Sequence, residues 1–139
     1  MKAQSLRTAT TNEVKLEYEL GGTGEPVALI HLSLYADSFA PLMDQPALAG
    51  YRLLRYHRRG YAGSSRTVGP VTISDQAADL AGLLDDLGIR RAHVVGHSYG
   101  GLIAQRPGDT RDLFALRSPD RSASSASAIF VSVEPVEFL

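Results

Sequence analysis

Val14, Leu16, Tyr18 and Leu20 alternate with Lys15, Glu17 and Glu19, a period of two that predicts a strand with one wet face. Gly21, Gly22, Gly24 and Pro26 predict a tight connection. The nearly continuous apolar run Val27-Ala28-Leu29-Ile30-His31-Leu32 then reads as a strand covered on both faces. A short helical stretch broken by Pro41 and Pro46 is expected from Phe39 to Leu48, and Tyr51 to Tyr56 reads as another strand. Thr72 and Asp75 have the spacing of a capping box, so a helix starts there. Ile73, Ala77, Leu80, Leu84 and Leu87 form its apolar stripe, Asp75, Asp79, Asp85 and Asp86 fall largely off that stripe, and Gly88 supplies the C-cap. Ala92-His93-Val94-Val95 is a short strand feeding Gly96. Strand, helix, strand predicts a right-handed crossover and a parallel pair, so the class is α/β, a mostly parallel sheet flanked by helices.

After Gln105 the pattern lapses. Arg106-Pro107-Gly108-Asp109 stops any helix, and Ser fills five of the ten positions from Ser118 to Ser127. The expected organisation is a patterned unit over 1–105, a low-complexity irregular segment over 106–128, and a further strand and tail over 129–139, with Ile129 to Val133 as the strand.

Composition narrows the chemistry. The chain has 139 residues, and 14 Lys+Arg against 15 Asp+Glu give a formal charge of -1, which offers no field for nucleic acid or an anionic membrane surface. There is no Cys, hence no disulfide, thiolate metal site or Cys nucleophile. No metal site or cofactor is expected. The polar start from Met1 to Glu13 lacks the apolar core of a signal peptide, and no run approaches the roughly 18 apolar residues of a membrane span, so the expected compartment is cytoplasmic. The basic group Arg52, Arg55, His57, Arg58, Arg59 and Arg66 reads as loop scaffolding and solvated surface, and Gly21-Gly22-Thr23-Gly24 as a turn without phosphate-loop spacing.

Gly96-His97-Ser98-Tyr99-Gly100 fits G-x-S-x-G, a nucleophile elbow with a serine on a strained strand-to-helix turn. A Cβ two residues to either side would collide with neighbouring backbone, and glycine removes that collision. Val94-Val95 before it and Gly101-Leu102-Ile103-Ala104 after it supply the strand and helix the motif requires.

With Ile30-His31-Leu32-Ser33, Tyr56-His57-Arg58-Arg59-Gly60-Tyr61-Ala62-Gly63-Ser64 and His93 to Gly101 in order, the chain resembles the α/β-hydrolase family over about its first hundred residues. These stretches are similar to the family's apolar strand ending in His-Gly, its Asp-x-Arg-Gly-x-Gly-x-Ser loop and its elbow. The resemblance implies part of an α/β-hydrolase fold and an esterase-like hydrolase of small organic molecules. It assigns Ser98 as nucleophile, Gly96 and Gly100 as elbow glycines, and the backbone N–H groups of Tyr99 and Ser33 as oxyanion donors, with no cofactor. Leu32 stands where the His-Gly dipeptide has glycine.

The family order is serine, acid, histidine, yet His31, His57, His93 and His97 all precede Ser98. Asp109, Asp112, Asp120, Glu134 and Glu137 follow it. Glu134 is the acid candidate among them, although it reads better as a solvated strand end. His31 is the upstream histidine the family geometry brings near Ser98, and a satisfied structural histidine is the preferred reading there. Two readings result: a serine hydrolase working through an acyl-enzyme at Ser98, and a non-catalytic or binding remnant of the same fold. The second is preferred for this chain. Its motive is the change after about Phe114 to an Ala-Ser-Arg-rich run, as a shifted frame in a GC-rich gene would produce, in keeping with twelve Arg against two Lys. An uncovered sheet edge would then make the chain poorly soluble. The expected partner of an active chain is a small-molecule substrate.

Overall fold

The computed structural model describes residues 5–32, 36–105 and 128–131. Among the described residues six strands form one mixed sheet. In chain order they are β1 (Arg7–Thr11), β2 (Val14–Gly22), β3 (Glu25–Ile30), β4 (Tyr51–Tyr56), β5 (His93–His97) and β6 (Ala128–Val131). Their spatial order is β1-β2-β4-β3-β5-β6, with β1, β2 and β4 joined antiparallel and β4, β3, β5 and β6 joined parallel. Helices α1 (Ala40–Met43), α2 (Ile73–Asp86) and α3 (Tyr99–Gln105) complete the layers, with one-turn 3₁₀ segments at Ala36–Phe39 and Pro46–Leu48. Among the described residues no helix is long and apolar enough to cross a membrane.

The buried run of β3 divides by parity, as a strand covered on both faces must. Ala28 and Ile30 join Leu16, Leu54, Tyr56 and Val94 in the core beneath α2 and α3, whereas Val27, Leu29 and Leu53 meet Phe39 and Met43 on the opposite face. Helix α2 begins at the expected capping box. Thr72 Oγ1 accepts from the Asp75 N–H at 3.0 Å, and Asp75 Oδ2 accepts from the Thr72 N–H at 2.9 Å. The bond from the Thr72 backbone N–H, with the Thr72 hydroxyl beside it, holds the Asp75 carboxyl below its ordinary pKa.

Three features differ from the expectations or go beyond them. The polar start, to which the sequence pattern assigns no element, contains β1, paired to β2 through Asn12 and Glu13 at φ +51° and +63°. Two consecutive left-handed residues make the tight hairpin turn whose twist suits strand pairing. Ala9 is the one apolar residue this largely exposed edge strand packs against the core, so Arg-Thr-Ala-Thr-Thr carries no apolar alternation to detect. Second, β4-α2-β5 does not form an adjacent pair, because β3 lies between the two parallel strands. Third, Asp79 is 1% exposed, facing the sheet side of α2 rather than solvent.

Candidate active site

Strand β5 ends at His97, α3 begins at Tyr99, and Ser98 is the single residue between them, half-buried and at φ +52°. A left-handed backbone is costly for a residue with a Cβ, by about 1–2 kcal/mol. It persists because both sides of the turn are held. The Ser98 carbonyl accepts from the Gly101 N–H at 2.8 Å in the first turn of α3, and β5 is paired in parallel to β3 from His93 to Gly96. The glycines are required by close approach. A Cβ on Gly96 would meet the carbonyl of Gly100, and a Cβ on Gly100 would meet the carbonyl of Ile30 at the end of β3. Tyr99 N–H opens α3 and, like all first-turn amides, lacks a partner four residues back.

His31, His93 and His97 have other engagements, and the two ring nitrogens of His57 are buried without a hydrogen-bond partner among the described residues. His31 is fully buried. Its Nδ1 lies 2.6 Å from the Leu32 carbonyl and its Nε2 lies 2.9 Å from the Arg58 backbone N–H. An amide can only donate, so Nε2 accepts and Nδ1–H donates, a single neutral tautomer. Burial, helped by the Arg58 guanidinium, lowers the His31 pKa from 6.5 to about 4. His57 is buried with Nδ1 3.0 Å from Glu17 Oε1, out of hydrogen-bond alignment. His93 pairs with Glu25, and His97 lies edge-on to Phe39, with ring centroids 6.5 Å apart. Ser33 and the downstream carboxylates Asp109, Asp112, Asp120, Glu134 and Glu137 lie outside the described residues.

The basic group is no solvated patch. Arg59 makes two bonds of 2.7 Å to the buried Asp79 carboxylate, which raises its pKa, and Arg55 bridges Glu19 and Asp37. Arg58 is 3% exposed, its guanidinium 4.8 Å from the Tyr61 ring centroid and 4.9 Å from that of Tyr99. Arg58 also bonds Gln76, whose Nε2 donates to the Tyr99 hydroxyl at 3.2 Å. This cluster borders a cavity of about 600 Å³ lined by Arg58, Arg59, Tyr61, Val71, Gln76 and Tyr99. Sequence reasoning missed it. A two-arginine loop ahead of aromatics gave a signal of charge, and its burial depends on elements distant in sequence. Ala62, at the second glycine of the family loop, sits at φ +44°.

Ser98 is thus a left-handed serine between a parallel strand and a helix, with glycine on both flanks, the strand-turn-helix setting that the G-x-S-x-G pattern requires. The family described as alpha/beta hydrolase fold matches residues 21–106, and the chain belongs to it. Epoxide hydrolase A of Mycobacterium tuberculosis is 39% identical over 108 residues, covering 74% of this chain and 34% of that protein. The 3-oxoadipate enol-lactonase 2 of Acinetobacter baylyi is 34% identical over 105 residues, 70% of this chain and 38% of its own length. A crystal structure of a hydrolase from Pseudomonas aeruginosa PA01 superposes with a TM-score of 0.68 at 34% identity, covering 75% of this chain and 40% of that one. The chain thus spans little more than a third of the length of the relatives it matches.

Proposed function

We propose that Ser98 is the nucleophile of a serine hydrolase site for small acyl compounds, esters or lactones, with the Tyr99 N–H as one oxyanion donor and the Ser33 N–H as the other. The observation that carries this reading is the Ser98 backbone at φ +52° between β5 and α3. Attack by Oγ on a carbonyl carbon forms a tetrahedral oxyanion. Its collapse expels the alcohol and leaves an acyl ester that water can hydrolyse. The same oxygen opening an epoxide would leave an alkyl ether with no carbonyl for water to attack. Of the two activities named for the relatives above, acyl chemistry therefore suits a serine.

A second reading, a non-catalytic binding module of the same fold, is favoured by the engagement of His31, His93 and His97 with groups other than Ser98. Loss of the base from a comparable triad costs about 10⁶ in turnover, so a steady-state assay is a poor discriminator. Covalent labelling is better. A fluorophosphonate incubated with the 139-residue chain, followed by peptide mass spectrometry, is expected to modify Ser98, and Ser98→Ala is expected to stay unmodified. An unmodified wild-type chain rejects the hydrolase reading in favour of the binding module.

A further inference from the structure

Arg58 lies just past the end of β4 and is buried, and a guanidinium taken out of water is costly unless it is matched in charge as well as in hydrogen bonds. Only the bonds are matched. Nε donates to the His31 carbonyl at 3.2 Å, one terminal nitrogen donates to the Leu32 carbonyl at 2.8 Å, and the other donates to Gln76 Oε1 of α2. All three acceptors are neutral. Among the described residues no carboxylate pairs with Arg58: Asp79 is taken by Arg59, Asp37 by Arg55, and Asp75 by the cap at Thr72.

The unmatched charge borders open space. The cavity of about 600 Å³ has the size of a small-molecule site, and its described lining, which includes Thr67 beside Arg58 and Arg59, contains no Asp or Glu. A guanidinium carries five N–H groups, so the three bonds above leave two unspent. The Tyr99 hydroxyl accepts from Gln76 Nε2 at 3.2 Å and keeps its own proton to donate. Beside these donors the rings of Tyr61 and Tyr99, each within 5 Å of the Arg58 Cζ at 4.8 and 4.9 Å, join Val71 in an apolar wall.

We infer that this cavity binds a small organic monocarboxylate, whose carboxylate takes the unspent N–H donors of Arg58 and the Tyr99 hydroxyl proton while its carbon skeleton lies against Tyr61, Tyr99 and Val71. One unpaired positive charge calls for one negative charge, and a planar carboxylate accepts from a guanidinium and a hydroxyl together. A phosphate dianion brings one charge too many and no apolar surface for the rings. The inference stands on Arg58 and the cavity, and not on the chemistry of Ser98, so it applies to the hydrolase and to the binding module alike.

The test is calorimetric titration of benzoate, of benzamide as its uncharged counterpart and of inorganic phosphate into the 139-residue chain, Arg58→Met and Tyr99→Phe, with cooperative unfolding followed in parallel. Benzoate is expected to bind the wild type saturably at one site and on the order of 10-fold more tightly than benzamide, the preference a charge-assisted hydrogen bond confers. Arg58→Met is expected to lose that preference. Tyr99→Phe keeps the ring and is expected to bind benzoate about 5-fold more weakly, the share of one hydroxyl donor. A wild type that binds benzoate no better than benzamide overturns the inference, as does phosphate that competes with benzoate at equal or higher affinity. Unchanged benzoate affinity in folded Arg58→Met overturns it too, and should that variant not fold, unchanged affinity in Tyr99→Phe does so equally. Labelling of Ser98 plays no part in these titrations, so the failure of one reading leaves the other standing.

Discussion

The carbonyl of Ile30, at the end of β3, occupies the space that a Cβ on Gly100 would need. Neither side can yield cheaply. Ile30 is fully buried and paired with Gly96 in the sheet, and Gly100 lies in the first turn of α3. Gly100→Ala is expected to lower the unfolding free energy by about 3 kcal/mol, the upper end of ordinary overpacking, because backbone rather than a side chain must move. Urea titration checks this; a loss below about 1 kcal/mol would mean the α3 start is free to shift.

The strain at Ser98 can be measured without reference to chemistry. Ser98→Ala and Ser98→Gly both remove the hydroxyl, but at φ +52° the alanine keeps the Cβ penalty and the glycine does not. The glycine variant should be more stable than the alanine variant by about 1 kcal/mol. Equal stabilities would show that the residue relaxes out of the left-handed region.

Arg59 and Asp79 form a two-pronged pair of which Asp79 is the buried member. Asp79→Ala strands the guanidinium and is expected to cost about 3 kcal/mol, toward the low end for a buried pair because Arg59 remains partly exposed. The double variant Asp79→Leu with Arg59→Met should recover part of that loss. Thermal unfolding of the wild type and the two variants decides it, and a double variant worse than the single would contradict the ion-pair account.

His31 makes stability depend on pH. Its folded pKa of about 4 lies below the unfolded 6.5, so the unfolded chain binds the proton first as pH falls. The contribution is complete above pH 6.5, declines as pH falls toward 4 and is fully lost below that. Between pH 7.5 and 5.5 the His31 share amounts to about 1 kcal/mol, and His31→Gln should flatten the profile by that amount. A profile of unchanged slope in the variant would assign the effect to other groups.

Much of the architecture could be read along the chain because its signals are local. The alternation from Val14 to Leu20, the apolar run into β3 and the Thr72/Asp75 capping box each involve residues a few positions apart. The edge strand β1 escaped notice because an exposed hairpin arm needs no apolar pattern, and Asp79 was misplaced because its partner Arg59 lies twenty residues away. The engagement of His31 depended on the Arg58 backbone, 27 residues along.

The elbow is the clearest case of sequence speaking for itself. Gly96, Ser98 and Gly100 alone imply the turn, because backbone sterics act between neighbours and only glycine permits the approaches that Ile30 and Gly100 make. Whether Arg58 is a surface charge or a buried clamp could not be written in its neighbours. Its acceptors come from β3's exit and α2, its aromatic neighbour from α3, and only the folding of the sheet between those layers brings three distant segments to one guanidinium.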